Sequence, residues 1–188
     1  MQLTAEPATL PPPSKGLTLK HVAIGRGTQN YTCDTTNATA PPVAIGAVAS
    51  LFNATCVAAT YPDLLAILPK VVLQFDADPD IDNKIGPSNL ALSGHHFFKN
   101  NTTPFFDLDT ASMQLGEAST TKNNTVAAPA DAPVGLKGEP AVAWLKLLTQ
   151  SGSTGDLQEV YRVNTAGGSA PATCAGMPAT FEVQYAAQ

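Results

Sequence analysis

Polar and apolar positions alternate over short spans along most of the chain, and that period-two pattern predicts strands rather than helices. An apolar run over residues 17–24 leads into a bend at Gly25–Gly27, and Thr28–Cys33 continues as a second alternating strand. Residues 43–53 are small and apolar around a central glycine, which predicts a tightly packed buried strand. Further strands are expected at 71–75, 92–98, 103–108, 141–150, 157–165 and 180–187. A short helix is expected over 62–68, opened by Pro62 and ended by Pro69, with a helical turn at 111–116. Residues 117–140, rich in Ala, Pro, Thr, Asn and Gly, predict a long irregular connection. Many short strands at this spacing predict a mainly β, single-domain antiparallel barrel or sandwich with one or two short helices over residues 17–188. Residues 1–16, with four prolines, precede it as an extended arm.

Composition narrows the functional classes. The chain has 188 residues, 44% hydrophobic and only 13% charged, with a net charge of −5. The mild negative charge argues against a nucleic-acid partner, and no apolar run is long enough for a membrane-spanning helix. Six of the ten asparagines, Asn30, Asn37, Asn53, Asn100, Asn101 and Asn123, stand in N-x-S/T sequons. With this Ser and Thr content, chance gives roughly two. The excess predicts a secreted glycoprotein whose signal peptide lies outside this numbering. Three cysteines then imply one disulfide and one free thiol, with Cys33 joined to either Cys56 or Cys174.

The apolar strand running into Gly25-Arg26-Gly27 imitates a dinucleotide-binding fingerprint but fails it. Asn30 stands where the third glycine belongs, and no carboxylate follows near residues 45–50. Asp76, Asp78, Asp80 and Asp82 imitate a calcium loop, but Ile81 and Pro87 occupy the positions that need glycine and glutamate. Neighbouring His95 and His96 face opposite sides of a strand, so they cannot share a metal. Asp107 and Asp109 form a carboxylate pair on one strand face, the only echo of glycoside hydrolysis. No metal and no cofactor is expected. The last strands offer Val160, Arg162 and Asn164 on one face and Tyr161 on the other, beside Trp144 and Lys146. If one set points into a barrel, the cavity suits a flat, oxygen-bearing small molecule.

Several segments carry a resemblance: Gly25-Arg26-Gly27-Thr28-Gln29-Asn30-Tyr31-Thr32-Cys33, Gly94-His95-His96-Phe97-Phe98, Pro104-Phe105-Phe106-Asp107-Leu108 and Tyr161-Arg162-Val163-Asn164-Thr165-Ala166-Gly167-Gly168. Together with Gly46–Phe52 and Phe181–Ala187 they resemble a secreted fungal family of unknown function, often labelled malate dehydrogenase, a label the failed fingerprint contradicts. The resemblance favours Cys33–Cys174 as the disulfide. It extends to intermolecular hetero-Diels–Alderases of tropolone–sesquiterpenoid biosynthesis. It therefore implies a cofactor-free enzyme in which a hydroxymethyl tropolone loses water and the resulting quinone methide adds to a humulene-type alkene. On that reading Arg162, Lys146 and His95 are candidate catalytic donors, while Gln29, Tyr31, Trp144, Tyr161 and Asn164 are candidate substrate contacts. A non-catalytic secreted protein that binds a carbohydrate or other ligand is the alternative.

Overall fold

A computed structural model describes residues 9–75, 85 and 89–188. The strands are β1 (Ala23–Thr32), β2 (Val43–Asn53), β3 (Leu92–Lys99), β4 (Thr103–Thr110), β5 (Met113–Val126), β6 (Trp144–Thr149), β7 (Glu159–Arg162), β8 (Ala166–Gly167) and β9 (Thr180–Ala187). They form one antiparallel sheet in the order β7-β6-β5-β4-β3-β2-β1-β9-β8. The sheet curls into a half-barrel. Its two ends are tied by reciprocal backbone hydrogen bonds between Val163 and Gln188, at 2.9 and 3.0 Å, and by Val142 N–H to Gly167 O at 2.9 Å.

Curling gives the sheet a convex and a concave face, and alternation divides the residues between them. On the convex face Ile24, Phe52, Ala54 and Ala186 pack against Leu65, Val72 and Leu73 of α2 (Pro62–Val72) and its C-cap, with the half-buried Val57 and Ala58 of α1 (Thr55–Thr60) beside them. The sequence pattern does not show α1, and it stops α2 at Pro69. In the structure α2 runs through Pro69, so residues 71–75 are a helix end and turn rather than a strand. A proline inside a helix costs about 3 kcal/mol. Leu65, Pro69 and Val72, all buried on one helix face against the sheet, offset that cost. Arg26 is also buried under this layer, its guanidinium donating to the carbonyls of Gly27, Tyr185 and Phe75.

The expected strands at 43–53 and 180–187 match β2 and β9 in their bounds, but β2 is not the buried strand expected: Val43, Ile45 and Val48 are exposed, because only its Phe52 end lies under the helices. The expected bend at Gly25–Gly27 lies inside β1, and the expected helical turn at 111–116 is a tight turn leading into β5. Of the irregular connection expected at 117–140, residues 117–126 belong to β5, the longest strand. Its Ser and Thr run is polar because one face meets solvent, and β-branched threonine still fits a pleated strand. Asn100 and Asn101, both with positive φ (53° and 56°), make the three-residue β3–β4 turn together with Thr102. The acidic run Asp76–Asp82 lies outside the described residues.

Gly27 sets the tightness of the curl. A Cβ there would overlap the Val48 carbonyl oxygen and the Ala49 backbone, neither of which can swing away. Gly27→Ala is expected to lower stability by about 3 kcal/mol or to prevent folding. Urea denaturation of the purified variant checks this. A midpoint within error of the parent would show that β1 and β2 can separate without loss.

Candidate functional site

The concave face encloses a cavity of about 870 Å³. Small residues leave this room. Register places Phe106, His96, Ala49, Gly27, Tyr185 and Gly167 in one row across the sheet, so two positions without bulk separate the large side chains. Leu51, Phe98, Phe106, Leu108, Leu145 and Leu147 give the cavity apolar walls. Ala47, Ala49, Val142 and Ala187 pack around Tyr185 at its floor.

Against these walls stands a polar group. Arg162, opposite Leu145 in the β6–β7 register, faces inward. Its Nε and Nη2 donate to the Ala143 carbonyl at 3.3 and 2.8 Å. This fork fixes the guanidinium plane and leaves Nη1 without a protein acceptor among the described residues. Burial lowers the Arg162 pKa, and the nearby Tyr185 and Tyr31 hydroxyls oppose that shift. Tyr31 OH donates to Gly168 O at 2.7 Å, and its ring stacks on Phe181. Burial raises the pKa of both tyrosines, with Arg162 acting the other way, so both hydroxyls are neutral, and the Tyr31 hydrogen is committed to Gly168 O. Gln29 is 8% exposed, and its Nε2 makes no hydrogen bond of good geometry although it lies near Tyr185. Gly168, at φ 97°, allows this crowding: a Cβ there would press on Tyr185, Val142 and Gln29.

His96, not His95, is the cavity histidine. His95 is exposed on the other face, opposite Asp107 in the strand register. His96 is 8% exposed and stacks on Phe106 with ring centroids 4.3 Å apart. Its Nδ1 lies 2.9 Å from Phe105 O. Burial is the main cause that lowers its pKa to about 4; Arg162 adds to the shift and the Phe105 bond opposes it. The unfolded value is near 6.5, so the unfolded chain binds more protons between these limits. Stability is therefore expected to be full above about pH 6.5 and to fall toward pH 4, by up to about 3 kcal/mol from this group. His21, also lowered by burial, works in the same direction. Denaturation midpoints at pH 7 and pH 4.5, compared with His96→Phe, isolate the effect. An equal acid loss in both proteins would refute it.

Lys146 and Trp144 lie on the opposite face of β6 from the cavity-lining Leu145 and Leu147. Lys146 is locked there, donating to Pro12 O at 2.9 Å and pairing with Glu159 at 3.1 Å, its side chain 6% exposed. The arm lies over this surface: Tyr161 OH donates to Pro11 O at 2.9 Å, and Ser14 Oγ donates to Glu159 at 2.6 Å. Lys146 thus holds the arm and does not reach the cavity, whereas Tyr161 borders its rim. Asn164, at φ 48°, donates to Gln188 Oε1 at 2.8 Å and helps tie the sheet ends. The structure therefore brings together Arg162, Gln29 and Tyr31, and separates Lys146, His95, Trp144 and Asn164 from them. His96 and Tyr185 are the residues that sequence reasoning missed. Tyr185 had one available signal, its odd-numbered alternation with Val183 in β9. The Asp107 and Asp109 carboxylates accept the backbone N–H groups of Asp109 and Gly116, which shapes the irregular end of β4.

The family described as "Protein of unknown function (DUF3455)" matches residues 13–188. The chain belongs to this family. No curated protein and no solved structure matches. The DUF3455 match begins inside the arm, at Pro13, just after the two prolines whose carbonyls bind Lys146 and Tyr161, and it includes every residue that lines the cavity. In this DUF3455 member Cys33 and Cys174 form the disulfide and Cys56 is an exposed free thiol. No described helix is long and apolar enough to cross a membrane. Asn37, Asn100, Asn101 and Asn123 are exposed, while Asn30 and Asn53 are half-buried in strands, their amide oxygens accepting from Thr28 and from the Thr55 N–H. Expression in a eukaryotic secretory host is expected to give glycans on at least two sites, drawn from the four exposed ones. Intact mass before and after glycosidase checks this; an unchanged mass would oppose a secreted protein.

Proposed function

We propose that this protein is a secreted, cofactor-independent pericyclase: an intermolecular hetero-Diels–Alderase that joins a tropolone quinone methide to a humulene-type alkene. The observation that supports this reading is the cavity, about 870 Å³ of mostly apolar wall with the buried Arg162 guanidinium facing into it. It lies within the range of small-molecule sites, about 300–1,000 Å³.

The chemistry asks little beyond this. A hydroxymethyl tropolone gives up its ring hydroxyl proton and its side-chain hydroxyl as water, leaving a neutral heterodiene. The heterodiene then forms a C–C and a C–O bond to the alkene, closing a dihydropyran with no atom gained or lost. Leu145, Leu147, Phe98 and Phe106 hold the hydrocarbon ring, and Arg162 polarises the heterodiene by donating to its oxygen. Holding two neutral partners in a near-attack arrangement contributes roughly 7–11 kcal/mol.

The test is product analysis after mixing the protein with a hydroxymethyl tropolone and humulene. A dihydropyran adduct formed faster and with higher stereochemical purity than without protein supports the reading. Tropolone binding in titration calorimetry without any acceleration would reduce the protein to a ligand-binding one. Absence of both would remove the cavity as a site for this class.

A further inference from the structure

We propose that His96 Nε2 is a fixed hydrogen-bond acceptor in the cavity, so that the site selects ligands carrying a hydroxyl beside a second, accepting oxygen. The inference rests on the cavity's being the ligand site and deepens that reading by assigning a specificity-determining residue.

The tautomer follows from one contact. The Phe105 carbonyl can only accept, so the Nδ1 atom 2.9 Å from it carries the hydrogen. A neutral imidazole then has its lone pair on Nε2. Stacking on Phe106 and edge contact with Phe98, at 5.7 Å, hold the ring in this orientation. Among the described residues no donor satisfies Nε2. Arg162 is the charged group that acts on His96; Tyr31 and Tyr185 line the same cavity, as do Lys20, His21, Lys122, Asp156, Glu159 and Tyr161. The Arg162 cation opposes protonation of the ring, which keeps the acceptor available.

Two donors line the cavity with this acceptor. Arg162 has Nη1 to spare after its fork onto Ala143, and Gln29 Nε2, buried beside Tyr185, makes no hydrogen bond of good geometry. A buried polar atom without a partner costs about 1–3 kcal/mol, which a ligand oxygen would relieve. One acceptor beside two donors matches a hydroxyl next to a carbonyl. It does not match a ligand with two acceptors, because Nε2 would then face a lone pair.

The experiment compares two probes, tropolone and 2-methoxytropone, which share a ring and a carbonyl but differ in the hydroxyl. Titration calorimetry is run at about pH 5.5, where the hydroxyl is protonated and His96 is neutral. The protein is expected to bind tropolone at least about tenfold more tightly. In His96→Phe, which keeps the stacking and lacks the acceptor, this preference should collapse to within about twofold. In parallel, the ¹⁵N signal of His96 Nε2 should sit at the unprotonated position in the free protein and shift upfield with tropolone but not with its methyl ether. Equal binding of both probes by the parent protein, or a preference that survives His96→Phe, overturns the assignment while leaving the cavity as a binding site. Failure of both probes to bind overturns the cavity reading itself. If His96→Phe does not fold, the parent's probe preference and the nitrogen signal still decide.

Discussion

Arg162→Ala is expected to leave a folded protein whose formation of the dihydropyran adduct falls at least about tenfold, roughly 1.4 kcal/mol of barrier. The guanidinium is the one cationic group held inside the concave face by two hydrogen bonds to a single carbonyl. A donor already fixed before substrate arrives loses little conformational freedom on binding an oxygen, and in an apolar cavity its field is weakly screened. Removing it also frees the Ala143 carbonyl, at a stability cost of about 1–2 kcal/mol, which a sheet tied at both ends can absorb. Arg162→Lys should restore part of the rate, because an ammonium cannot fork onto Ala143 and present a second donor in the same plane. Rates with purified, refolding-competent variants give the answer. Full activity in Arg162→Ala would exclude the guanidinium from the reaction, and an unfolded variant would make its bond to Ala143 its main role.

Removing the disulfide is expected to have the largest effect on stability. Cys33 and Cys174 are 141 residues apart in sequence, and the bond joins the end of β1 to the segment that leads into β9. Closing so long a loop restricts the unfolded chain by about 5 kcal/mol in the chain-entropy description, with about 2–5 kcal/mol usually lost on removal. Backbone bonds from Cys33 N–H to Ala179 O and from Cys174 N–H to Ala40 O, at 2.9 and 2.8 Å, keep the local geometry without the bond. The Cys33→Ser, Cys174→Ser double variant should therefore unfold at much lower denaturant, whereas Cys56→Ser, at an exposed helix position, should match the parent. A double variant as stable as the parent would mean that the unfolded chain is already compact around these residues.

Much of the sheet was legible from alternation alone. β9 alternates polar Thr180, Glu182 and Gln184 with apolar Phe181, Val183 and Tyr185, β2 is a run of small and apolar residues, and the bounds of both agree with the sequence pattern. The misreadings have physical causes. At Pro69 and residues 71–75, local propensity favours a helix stop and a β-branched strand. Packing of Leu65, Pro69 and Val72 on the convex face overrides both preferences. In β5 a Thr-rich polar stretch carries no hydrophobic period, because its strand is held by backbone pairing with β4 and β6.

For the site, the parts are plain in the sequence: a small-residue strand pair, two arginines, a histidine pair, aromatic neighbours and three cysteines. Period two also fixed that His95 and His96, or Arg162 and Tyr161, must part to opposite faces. Only the tertiary structure decided which face is the inside. That choice depends on the direction in which the sheet curls, which is set by Gly27 against the Val48 carbonyl, by the helices covering the convex face and by the arm bound to Lys146, Glu159 and Tyr161. It put His96 rather than His95 with Arg162, and turned Lys146 from a candidate donor into the anchor of the arm. None of these contacts is local in sequence, so no reading of neighbouring residues could have chosen between the faces.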